Sequence, residues 1–127
     1  MSLEAWREAG LVVSHEATPE EIADLFAVAE TDLRDAAISE LSPERKLGCA
    51  YGAILSAGRA ALHAAAYRVP KSNPGHHHYV IQSLRYTVGL APSIVLLIFY
   101  SLRTEAASCW ALARVARRPG IRIVLFL

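Results

Sequence analysis

The chain has 127 residues, 54% of them hydrophobic, with a formal net charge of +1. That length suits one domain able to bury about two thirds of its extended surface without disulfides or a metal. The near-neutral balance and the two cysteines, Cys49 and Cys109, exclude a uniformly basic nucleic-acid binder and a disulfide scaffold, and point to reduced thiols in a cytoplasmic protein.

The N-terminal MSLEAWREAG carries acids and lacks an apolar signal core, which argues against secretion. It predicts a short peripheral helix from Leu3 to Gly10, anchored by Trp6, and residues 1–17 read as this helix plus a linker. Thr18, Pro19, Glu20 and Glu21 spell a capping box with proline at the first helical position. Ile22, Leu25, Phe26, Ala29, Leu33 and Ala36 follow at helical spacing, so a helix is expected from Pro19 to about Ser39. Its acids fall mostly off the apolar face and read as a solvated side.

Ser42 and Pro43 open the longest helical stretch, expected to run unbroken to Tyr67 as the central rod of the fold. Leu47, Tyr51, Ile54, Gly58, Ala61, Leu62 and Ala65 form its predicted core seam. A second stripe, Gly48, Gly52, Ser56, Arg59 and His63, begins with residues small enough to admit a close neighbour. Arg68 to Gly75 breaks the periodicity through Pro70 and Pro74, predicting a tight surface loop. A shorter helix then starts at His76, turns Val80, Ile81 and Leu84 inward, and stops near Tyr86, before Gly89.

Beyond Leu90 the character changes. Residues 1–90 hold 8 Lys and Arg against 11 Asp and Glu, whereas residues 91–127 hold 5 Arg against Glu105 alone. Ile94 to Tyr100 is apolar on every side, predicting a fully buried helix from Pro92 to about Val115 rather than a membrane span. Only 17 residues separate Arg85 from Arg103, with Gly89 and Pro92 between them, short of a comfortable crossing. Residues 119–127 form an apolar, strand-like tail. The abrupt change has two readings: a divergent natural last helix, or a shifted reading frame behind an authentic front, which translation of the other two frames distinguishes.

Few residues announce chemistry. Arg59 and His63, four apart, share a helix face and can meet a phosphate or an acid. His76, His77 and His78 are adjacent, so at most one or two of them, with His76 and His78 as the candidates, can serve one metal ion. Arg114, Arg117 and Arg118 form a basic cluster able to attract nucleic-acid phosphates. Neither a glycine-rich phosphate loop nor a recognisable nucleophile and base pair occurs, and no cofactor is expected.

Residues from about Glu20 to Leu90 resemble a HEPN domain. The resemblance is carried by FAVAETDLRDAA, by AYGAILSAGRAALHAAAYRVP and by NPGHHHYVIQSL. It implies an all-α, up-and-down bundle of four or five helices, taken here as residues 18–118, and a homodimer. It further implies partnership with a minimal nucleotidyltransferase in a toxin-antitoxin type pair, and an association with RNA. Many members of that family are metal-independent ribonucleases whose arginine and histidine lie four to six residues apart near the start of the last long helix. The matching region here, Leu102 to Trp110, offers Arg103 and no histidine; none occurs after His78. Arg59 and His63 have three residues between them, and Arg68 and His76 have seven. The expected function is therefore a non-catalytic binding or interaction module without a membrane role. The alternative is a ribonuclease with a degenerate site at Arg59, His63 or Arg103.

Overall fold

The computed structural model describes residues 2–101, with side chains described to residue 96. Five helices and one two-stranded ribbon occur among them, in the order α1 (Leu3–Glu8), β1 (Val13–Ser14), α2 (Pro19–Ala36), α3 (Pro43–Ala64), β2 (Tyr67–Arg68), α4 (His76–Thr87) and α5 (Pro92–Ser101). The class is all-α, as the sequence predicts. Arg103, Arg114, Arg117 and Arg118, the apolar tail and the remainder of the last predicted helix lie outside the described residues.

The helix starts obey their end signals. Thr18 Oγ1 accepts from the Glu21 amide at 3.2 Å, and Ser42 Oγ accepts from the Arg45 amide at 3.3 Å, each with proline in the first turn. α3 is the central rod and packs against both α2 and α4, and α5 continues from α4. Being wrapped from two sides, α3 is buried well beyond the predicted seam. Ala53, Leu55, Ser56, Ala57, Gly58, Ala60 and Leu62 are buried, whereas Leu47, Tyr51, Ile54 and Ala61 are only partly so.

Two close approaches set the spacing. α4 meets α3 at Gly58, where an added Cβ would lie 3.0 Å from Val80 Cγ1; α2 meets it at Gly52, where the same atom would fall 2.6 Å from Asp32 Oδ2. Gly48, at the start of the small-residue stripe, has nothing within 4 Å of its Cβ position.

Four features depart from the sequence reading. α3 stops at Ala64, not Tyr67, because Ala66 takes a left-handed φ of 66° that no helix continues through. Tyr67 and Arg68, expected in the rod and the loop, instead pair antiparallel with Ser14 and Val13. The N-terminal stretch, expected at the periphery, enters the core: Trp6 is 5% exposed and Val12 fully buried. Trp6 sits edge-on to both Tyr79 and Tyr86, with centroids 5.6 and 5.3 Å away, and so clamps α1 onto α4. Tyr67 Oη donates to Glu4 Oε2 at 2.8 Å and closes the same end. In α5, Val95 is buried but Leu96 is 68% exposed, so this helix is not enclosed on every side. No helix among the described residues is long and apolar enough to cross a membrane.

Candidate functional site

The C-terminal half of α3 brings the two residues singled out by spacing, Arg59 and His63, onto the wall of a cleft of about 420 Å³. Glu21 and Leu25 from the start of α2 line it as well. So do Leu62 of α3, Arg68 and Val69 at the end of the ribbon, Lys71 of the loop, and His76 and Val80 of α4. Three permanent cations, Arg59, Arg68 and Lys71, thus face one carboxylate. Leu25, Leu62, Val69 and Val80 supply its apolar wall.

Arg59 reaches His76, with Nη2 3.3 Å from Nε2. A guanidinium only donates, so His76 Nε2 accepts and its ring proton sits on Nδ1. Burial first, then the charge of Arg59, with lesser contributions from His77 and Lys71, pushes the His76 pKa below its ordinary value and keeps the ring neutral at pH 7. Four buried side-chain polar atoms lack a hydrogen-bond partner among the described residues, and three of them belong to this cleft: Arg59 Nε, His63 Nδ1 and His76 Nδ1. Buried polar atoms are rarely left so, and their concentration in one place marks a site built to meet something polar.

Glu21 stands at the edge of the cleft. Its carboxylate Oε1 lies 2.8 Å from His15 Nε2 and 3.3 Å from His63 Nδ1. The hydrogen bond from His15 does most to hold the Glu21 carboxyl below the usual range; the charges of His15 and His63 and the Thr18 amide act in the same sense, against a smaller opposing effect of burial. The Thr18 contribution is what a capping box provides. His63 is driven the other way from a salt-bridging histidine. Burial first, then His15, Arg59 and Arg68, lower its pKa and outweigh the pull of Glu21, so its contact with the carboxylate is not an ion pair at neutral pH.

The adjacent histidines are split. His76 turns to Arg59, while His78 is exposed with its ring edge-on to Tyr79 at 5.4 Å. Among the described residues, the grouping with donors close enough for one cation is His15, Glu21 and His63, not the histidine run. The sequence marks Glu21 only as part of a capping box and Arg68 only by its spacing to His76; His15 and Lys71 carry no site signal, because their placement depends on the β1–β2 pairing and the loop after it. Comparison of the chain with protein-family models, curated proteins and solved structures finds no match.

Proposed function

We propose that this chain is a HEPN-like helical bundle acting as a non-catalytic binding module, and that the cleft beside α3 receives a phosphate of RNA. As the resemblance implies, it works as a homodimer paired with a minimal nucleotidyltransferase in a toxin-antitoxin type system. The observation that carries the reading is the convergence of Arg59, Arg68 and Lys71 on one cleft in which, among the described residues, Glu21 is the sole carboxylate. The unpartnered Arg59 Nε and His76 Nδ1 suit a multidentate oxyanion, for which a guanidinium fork is the preferred receptor.

Fluorescence anisotropy with a short single-stranded RNA tests it. Engagement of three phosphates gives a slope of roughly −2 in log K against log salt, and removing one cation flattens that slope by about 0.7. Saturable binding weakened by Arg59→Ala and Arg68→Ala is the expected outcome; binding that ignores both substitutions, or none at all, refutes the assignment.

The ribonuclease alternative rests on one observation, that His63 shares the cleft with Arg59 and is neutral, as a general base requires. An RNA cleavage assay in the presence of chelator decides it. Turnover abolished by His63→Ala supports catalysis; its absence in the native chain removes it.

A further inference from the structure

We propose that His15, Glu21 and His63 form a binding site for a first-row divalent cation, zinc in the first instance, at the rim of the cleft. This goes beyond the RNA reading and does not rest on it.

The donors are His15 Nε2, Glu21 Oε1 and His63 Nδ1, all within 4.8 Å of one another. A tetrahedral zinc ion bound at about 2.0–2.1 Å spaces its ligand atoms about 3.3 Å apart. The Glu21 to His63 distance is already 3.3 Å, and the His15 to Glu21 distance of 2.8 Å opens to that value with a small side-chain rotation. Two imidazoles and a carboxylate are borderline nitrogen and oxygen donors. They favour zinc and its neighbours over calcium or magnesium, which seek oxygen alone, and no thiolate is among them. Such a set supplies three ligands and leaves a fourth position open. Because Glu21 and His63 also line the cleft, a fourth ligand is drawn from that side.

Backbone hydrogen bonds hold the residues that carry these donors near one another. The His15 amide donates to the Ala66 carbonyl at 2.9 Å, and the Ala66 amide donates to the His63 carbonyl at 2.9 Å. Two consecutive backbone bonds therefore tie the histidines to one another, and their rings lie 4.6 Å apart between centroids. Glu21 is set by its place in the first turn of α2, pinned through its amide to Thr18. The three residues span 48 positions of sequence yet meet from the connection after β1, the first turn of α2 and the last turn of α3.

A second observation points to a cation. His63 Nδ1 is buried and forms no hydrogen bond, although a carboxylate oxygen lies 3.3 Å away. A ring nitrogen beside a carboxylate without a bond between them is an unfavourable arrangement that a shared positive ion resolves.

The test uses the full chain, stripped of metal with chelator and dialysed, titrated calorimetrically with zinc chloride alone. One equivalent should bind saturably and raise Tm with increasing metal, as ligand linkage requires. His15→Gln, Glu21→Gln and His63→Gln should each weaken binding by at least about tenfold, the loss known even for groups that only support a metal ligand. The double variant His77→Gln, His78→Gln, at exposed positions outside the cleft, should leave it intact. X-ray absorption at the zinc edge of the native complex should find two imidazoles, a readout that does not depend on any variant folding. No saturable binding, binding lost only in the His77 and His78 double variant, or a first shell without two imidazoles would each overturn the site.

Discussion

A single backbone angle positions half of the candidate site. Ala66, at φ 66°, ends α3 and turns its carbonyl to the His15 amide. For an alanine this conformation costs about 1–2 kcal/mol, and glycine removes the strain while gaining unfolded-state freedom worth about 0.4–1 kcal/mol. Ala66→Gly should therefore stabilise the chain by about 0.5 kcal/mol net, read as a small rise in Tm with the cleft unchanged. The cleft also imposes a pH dependence. The His76 pKa lies below its ordinary 6.5 in the folded state, so the unfolded chain binds more protons once pH drops under that value. The folded chain should be fully favoured above pH 6.5 on this account and lose stability as pH falls toward the folded pKa. His76→Gln should flatten the pH dependence of Tm in that window, and an unchanged slope would show that His76 is not perturbed as described.

Between elements, the two glycine contacts make opposite predictions. At Gly52 the obstacle to a Cβ is the end of the Asp32 side chain, which can swing away. Gly52→Ala should keep the helix-propensity gain of about 1 kcal/mol, giving a neutral to stabilised chain. At Gly58 the obstacle is Val80, 1% exposed and held among Leu62, Ile81 and Leu84. Overpacking of about 1–3 kcal/mol then exceeds the propensity gain, and Gly58→Ala should lower Tm. Equal behaviour of the two variants in chemical denaturation would contradict the packing described. The long helices were legible because Thr18, Pro19, Ser42 and Pro43 signal their starts through local chemistry. The ribbon was not. Two residues per strand leave no alternation to detect, and Tyr67 follows an alanine run with nothing to mark the turn, since alanine stands where glycine usually would. The site divides along the same line. Arg59 and His63 were visible as an i, i+4 pair on one helix, whereas His15, Arg68 and Lys71 depend on a pairing between segments 55 positions apart, which no local pattern encodes.

Across the whole molecule, the N-terminal arm holds the bundle together rather than decorating it. Trp6 and Val12 are buried with Leu62, Val80, Ile81 and Leu84 in one cluster. Truncating a buried tryptophan costs about 3–5 kcal/mol, against about 5–15 kcal/mol of total stability for a domain of this size. Trp6→Ala should lose a large part of the folded chain's margin in urea, and removal of residues 1–17 should lose more, because it also deletes Val12 and the strand that pairs with Tyr67 and Arg68.

That arm also sets an order of events. The α2 and α3 pairing is a hairpin of neighbouring segments and closes early, whereas Val13 must find Arg68 across most of the described chain, a slower search for an ensemble of loose conformers. In refolding, helical ellipticity should return first and zinc affinity second. The lag between the two signals would time the docking of the arm, and a protein arrested before that step would have α2 and α3 paired and an unassembled receptor.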